Sequence, residues 1–361
     1  MQTRPVAVAL TLLAALFASP GAAQNPDPMD IRACTSIESD AARLACYDQA
    51  TGRANTEAAA SAPTAAGAAN VFGHDAAARS AASGTEAVGN ARSLLDSRWE
   101  LARESKLGTF NLRGYKPIYV LPVFASSNQN ERPSSPNPDN TVAQREHLGN
   151  LEAKFQLSFK TKLWQGVFGD AGDLWLGYTQ SSRWQVYNHR LSRPMRETNY
   201  EPEAMLVFNT HYRVFGWDGR LLGMSFDHQS NGRNNPLSRS WNRVIANIGF
   251  ERPGWVVMFR PWWRIPENRS DDNNPDIGDY MGRGDVQIVH EWNGQEFSMM
   301  LRHSLRGGAR SHGAARFTWS FPLAGNLRGY LQAFKGYGES MIDYNHNATY
   351  LGVGISLLDW Y

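Results

Sequence analysis

The chain has 361 residues and a formal net charge of +2, with 42% hydrophobic and 11% aromatic side chains. A mean hydropathy of −0.47 is too polar for a bundle of membrane helices, although the apolar content is enough for a large core. The balanced charge favours no acidic partner, and no basic stripe with base-stacking aromatics points to nucleic acid.

Residues 1–23 read as a secretory signal peptide: Arg4, an apolar stretch over 6–18, then Pro20, Gly21, Ala22 and Ala23, with cleavage expected near Ala23. That stretch is shorter than the ~20 residues a spanning helix needs, so export is expected rather than anchoring. Residues 24–50 form a small periplasmic segment, helical over 31–50, with the only two cysteines of the sequence. In an oxidising compartment Cys34 and Cys46 are expected to form one disulfide. Residues 51–94, dominated by Ala, Ser, Gly and Thr, read as a linker, with a short helix around 91–103 leading into a barrel domain over 95–361.

Downstream of about residue 109 the pattern changes to alternation. Phe155, Leu157, Phe159, Thr161 and Leu163 interleave with Gln156, Ser158, Lys160 and Lys162. The same period of two recurs at Phe317, Trp319 and Phe321, and in a final strand at Leu351, Val353, Ile355 and Leu357. Asn293-Gly294 between two such runs marks a two-residue hairpin, because both central positions favour positive φ. Trp255, Trp262, Trp263, Trp292, Tyr330 and Tyr337 are expected to form interfacial girdles, and Tyr361 to close the last strand. The expected fold is all-β: an antiparallel transmembrane β-barrel with an apolar outside, a polar inside and room for roughly ten to fourteen strands.

The chemistry is expected at one hairpin. Leu222, Met224, Phe226, His228 and Ser230 share a parity, which places a base and a nucleophile on the apolar side of a strand. Residues two apart have Cα atoms ~6.6 Å apart, within reach of an imidazole that leans. Beyond a loop marked by Gly232, Asn234, Asn235 and Pro236, a second strand starts near Trp241, and its apolar parity begins with Asn242. A neutral amide there can hold the imidazole tautomer without a carboxylate's desolvation cost at a lipid-facing surface.

The run HQSNGRNNPLSRSWNR from His228 to Arg243 strongly resembles the outer-membrane phospholipase A family, as do RETNYEPE, DDNNPDI and KGYGESMIDYNHN, from about residue 115 onward. The resemblance implies about 12 strands, hydrolysis of sn-1 and sn-2 acyl esters, Ser230 as nucleophile, His228 as base and Asn242 as its orienter. It implies Ca2+ dependence and an active homodimer. The Arg233 carbonyl and Ser238 hydroxyl would be ligands in one subunit, Ser192 in the other, with Asp272 completing or supporting the site. DDNNPDI carries one Asn more than the expected DDNPDI, so Asp271 and Asp276 stay open beside Asp272. Asn235 stands where some members carry an aspartate, which would weaken calcium binding in the monomer. The Gly232 amide with a calcium-bound water is the expected oxyanion hole.

Scattered histidines, His211, His290 and His303, lack ligand spacing and read as loop or lumen residues. Gly336-Tyr337-Gly338 resembles a phosphate-loop fragment but lacks the strand-to-helix context. Lys160, Lys162 and Arg243 read as a solvated or salt-bridged interior. The alternatives are a passive porin-like or structural barrel, and a soluble secreted esterase, which would partition into water.

Overall fold

The computed structural model describes residues 31–37, 39–50, 93–268 and 270–361. The expected signal peptide and nearly all of the expected linker lie outside them. The chain divides into two compact units, 1–68 and 69–361. In the first, a 3-10 turn at Ile31–Ser36 and helix α1 (Asp40–Ala50) are joined by the expected Cys34–Cys46 disulfide.

The second unit is a closed antiparallel barrel. Its strands are β1 (Leu112–Gly114), β2 (Ile118–Ser126), β3 (Leu151–Trp164), β4 (Asp173–Trp184), β5 (Glu197–Val214), β6 (Trp217–Ser230) and β7 (Ser240–Arg252). They continue as β8 (Trp255–Ile265), β9 (Gly284–Trp292), β10 (Gln295–His303), β11 (Gly313–Ala324), β12 (Leu327–Tyr337) and β13 (Asn347–Leu358). Closure comes from β13 pairing with β2, with Val353 opposite Val123. Strands β1 and β2 lie along the same edge of β3, Leu112 opposite Thr161 and Tyr119 opposite Gln156, so they form one interrupted strand and the barrel counts twelve. Pro117, which has no N–H to donate to a ladder, sits at the interruption. At the Asn293-Gly294 turn both residues have the positive φ that the sequence calls for, +50° and +72°.

The two faces follow the alternation. Leu176, Met224, Phe226, Leu351 and Val353 are exposed on the outside, whereas Lys154, Lys160 and Lys162 are at most 2% exposed inside. The interior is a set of ion pairs: Arg183 with Glu339, Arg196 with Glu152 and Asp343, Lys116 with Glu201, Arg243 with Asp227, Arg260 with Asp285, and Lys162 with Glu100 and Asp173. Charges packed this way need partners, because an unpaired ion in a dry site is costly.

Two of the six expected girdle residues are on the other face. Trp262 and Tyr330 are buried inside, where the Trp262 indole donates to the Gly282 carbonyl at 2.9 Å and Tyr330 stacks on Tyr119. Trp262 and Trp263 are adjacent in one strand, so only one of them can face outward, and that is Trp263. Nor does Tyr361 close the last strand. β13 ends at Leu358, and Trp360 and Tyr361 donate their backbone N–H groups to Glu296, with the Tyr361 ring buried.

Tyr361 belongs to a cluster around helix α2 (Leu94–Trp99), whose Leu95 and Trp99 pack on Trp175, Met205, Val207, Leu221, Met258 and Val289. Ser93 caps the helix and Glu251 accepts from both the Ser93 hydroxyl and the Leu95 N–H, meeting the orphan donors of its first turn. Arg98 donates to the carbonyls of Asp359 and Trp360, and Lys160 lies 3.1 Å from the Trp99 ring centroid. The helix therefore fills the barrel at the end with the short turns 215–216, 253–254 and 293–294. In outer-membrane barrels the short-turn end is periplasmic. The long loops carrying the expected chemistry lie at the opposite end.

Candidate active site

Strand β6 places its last residues at the long-loop end. Asp227 is fully buried and bonded to Arg243 in the lumen, so His228 and Ser230, one and three residues on, fall on the outer face with Met224 and Phe226. Strand β7 runs alongside in a register that sets His228 opposite Asn242. The imidazole Nδ1 and the Asn242 Oδ1 are 2.8 Å apart. Since an amide oxygen can only accept, this bond makes Nδ1 the protonated nitrogen and leaves Nε2 free to take a proton. Ser230 lies opposite Tyr200 on β5 and Ser240 on β7, on the same face as the imidazole. No hydrogen bond closes between the Ser230 hydroxyl and His228 among the described residues. Catalytic bonds of this kind often tighten only around substrate.

The loop from 231 to 239 is held internally by Asn231, a residue that no pattern in the sequence marks. Asn231 accepts the Arg239 N–H at 2.9 Å and donates to the Leu237 carbonyl at 2.8 Å, while its own N–H bonds the Arg239 carbonyl. Gly232 follows with φ +61°, and a Cβ there would sit 2.9 Å from the Tyr200 ring, so both backbone and space demand glycine. Its N–H makes no hydrogen bond among the described residues, as an oxyanion donor at rest would not. Arg239, fully buried, ties the loop to its neighbours by donating to the carbonyls of Ser134, Asn140, Pro236 and Ser238.

The extra asparagine of DDNNPDI has a visible role. Asn273 donates to the Ser238 hydroxyl at 2.9 Å, and Asn274 brackets Ser240 by accepting its N–H and donating to its carbonyl. Both asparagines thus stitch the loop before α3 (Ile277–Tyr280) to the 231–239 loop. Asp272 is buried, and its Oδ1 accepts from Arg264 at 2.6 Å and from the Asn274 N–H. Asp276 accepts from the Tyr344 hydroxyl, and Asp271 is exposed.

The expected calcium donors are all oxygens, as a hard cation requires. The Arg233 carbonyl accepts no hydrogen bond among the described residues, and the Ser238 hydroxyl keeps capacity beyond the bond from Asn273. Ser192 is in the β4–β5 loop, with Trp184 donating to its carbonyl at 2.7 Å, and its hydroxyl is not bonded to Arg233, Ser238 or Asp272. The residues present fit the ion, with Asp272 already neutralised by Arg264. The one compact acidic cluster among the described residues, Glu201, Glu203 and Asp227, lies in the lumen beside Lys116 and Arg243 and is accounted for by those cations. His290 is in strand β9, facing outward rather than into a loop or the lumen, where it stacks on Trp255 and its Nδ1 donates to the Gly254 carbonyl of the neighbouring hairpin turn at 2.9 Å; His303 Nδ1 accepts the Leu305 N–H at 3.0 Å.

One more side chain touches the constellation. Asn242 donates its amide N–H to Glu267 Oε1 at 3.3 Å. Burial first, and then the charge of Asp272, raise the Glu267 carboxyl above its ordinary value, while Arg264, the Asn242 bond and His228 pull it back.

The family model for phospholipase A1 matches residues 95–357. The chain belongs to the phospholipase A1 family. Among relatives, phospholipase A1 of Klebsiella pneumoniae is 41% identical over 250 residues, covering 69% of this chain and 83% of that protein. Phospholipase A1 of Escherichia coli K12 is 42% identical over 208 residues, 58% of this chain and 70% of that protein. Among solved structures, outer membrane phospholipase A from Escherichia coli aligns with a TM-score of 0.62 at 36% identity, covering 69% of this chain and 95% of that one. The Salmonella typhi outer membrane phospholipase dimer with bound calcium aligns with a TM-score of 0.62 at 38% identity, covering 70% and 94%. With its closed barrel and these relatives, the chain is an outer-membrane enzyme of this family. The alternative of a soluble secreted esterase is thereby set aside.

Proposed function

We propose that the protein is a calcium-dependent phospholipase that cleaves sn-1 and sn-2 acyl esters of glycerophospholipids at a Ser230–His228–Asn242 triad on its lipid-facing wall. The observation that carries this reading is the 2.8 Å bond between His228 Nδ1 and Asn242 Oδ1 on the outer face shared with Ser230. His228 Nε2 takes the Ser230 proton as the hydroxyl oxygen attacks the ester carbonyl, and the free Gly232 N–H meets the developing oxyanion. The imidazolium, steadied by Asn242, then gives its proton to the leaving alkoxide, and water hydrolyses the acyl-serine by the same route in reverse. A cation held by the Arg233 carbonyl and Ser238, with Ser192 of a second subunit and Asp272 in support, would supply positive charge beside the reacting ester.

Leu222, Met224 and Phe226 stand exposed in front of the site on a convex wall, which offers acyl chains no cleft. A second barrel seated on this face would wall them in, so the active form is proposed to be a homodimer.

Phospholipid hydrolysis by detergent-solubilised protein tests the whole reading. Fatty acid release is expected only with calcium, to stop on chelation, and to rise with the dimer fraction as protein concentration increases. Equal rates with and without the metal, or in monomer and dimer, would refute the cofactor and the dimer respectively.

A further inference from the structure

We infer that Glu267 is a fourth member of the catalytic relay, a positioning residue that acts on His228 through Asn242. This rests on the triad reading above. The two ends of an asparagine amide have nearly the same shape, so something must decide which end meets the imidazole. Only the oxygen can accept from Nδ1–H. An ionised carboxylate accepts and does not donate, so Glu267 can receive only the amide's NH2 end, as it does at 3.3 Å, which turns the oxygen to His228. The same negative charge polarises the amide, raising electron density on the oxygen just when the imidazole becomes positive.

The placement follows from register. Asn242 pairs with Ile265, the last residue of β8, and Glu267 continues two positions beyond the ladder on the same side. The charge therefore stands past the strand end, half-buried near the aqueous boundary, and a neutral amide carries its influence down to the lipid-facing imidazole. A carboxylate in Asn242's place would pay the full desolvation cost at that surface.

The test is a double-mutant cycle on the full-length protein in detergent with calcium, measuring kcat and KM for phospholipid hydrolysis. Glu267→Ala is expected to lower kcat about tenfold, the size of one charge-assisted hydrogen bond, with KM little changed. Glu267→Gln, which keeps the shape and an acceptor, should recover part of the loss. In an Asn242→Ala background the Glu267→Ala change should have no further effect, because the group it acts through is gone. Unchanged kcat in Glu267→Ala, or losses that multiply in the double variant, would overturn the role of Glu267 while leaving the triad standing. Hydrolysis persisting in Ser230→Ala would instead bring down the triad, and this relay with it.

Discussion

Ser230→Ala is expected to lower kcat for ester hydrolysis by at least ~10³-fold while the barrel still folds, and His228→Ala by a similar factor. In the proposed triad the two side chains act as one unit: without the hydroxyl there is no nucleophile, and without the imidazole no group takes its proton. The double variant should therefore be no worse than the poorer single one. Asn242→Ala should cost less, because the neutral amide orients the imidazole without carrying charge itself. Stability should barely move, since both residues lie on the outer face and leave the lumenal ion pairs untouched. Losses that multiply in the double variant would mean that Ser230 and His228 act separately.

The second large effect concerns the fold that holds this site. Glu339→Gln is expected to destabilise the barrel by about 3–5 kcal/mol, because it strands buried cations. Glu339 receives Arg183 Nε at 2.9 Å and Nη2 at 3.0 Å, and Lys154 Nζ at 2.5 Å. Burial by itself would raise this carboxyl, but Arg183 and then Lys154 outweigh it and hold it at about 2, against an ordinary value of 4.5. The sign follows directly. A depressed carboxyl contributes its full stability above about pH 4.5 and loses it as pH falls from there towards 2. Denaturant unfolding at pH 7 and pH 3 should show the wild type and Glu339→Gln converging in acid; a constant gap would contradict the pairing. Activity should fall as well, because the same loop carries Tyr344, which bonds Asp276 and packs beside Arg239 of the loop that carries the proposed site.

Much of this was legible in the sequence because period-two alternation reports directly on which residues share a face. Lys160 and Lys162 inside, Leu351 and Val353 outside, the Asn293-Gly294 turn, and His228, Ser230 and Asn242 on one outer surface all follow from parity and turn chemistry. Parity leaves open which of the two faces an aromatic occupies when both are hydrophobic enough, and so the sequence alone places Trp262 and Tyr330 on the lipid side, whereas both are buried inside. It is also silent on partners distant in the chain. Arg183 and Glu339 are 156 positions apart, and Glu251 reaches back to the N-terminus of α2. The stitching by Asn231, Asn273 and Asn274, and the contact from Asn242 to Glu267, depend on loop paths that no local pattern encodes. The resemblance marks the motifs, whereas the role of the extra asparagine lies in hydrogen bonds to Ser238 and Ser240 that connect distant loops.

The central claim is that the Ser–His pair projects into the bilayer. Because the sequence has only two cysteines and they are joined, single-cysteine variants can be spin-labelled cleanly along β6. Labels at Phe226→Cys, Asp227→Cys, His228→Cys and Gln229→Cys in lipid vesicles should alternate in their relaxation by oxygen and by a water-soluble nickel chelate. Oxygen should dominate at 226 and 228, and the chelate's relative effect should be larger at 227 and 229. The opposite phase, with 228 facing the polar lumen, would contradict the account.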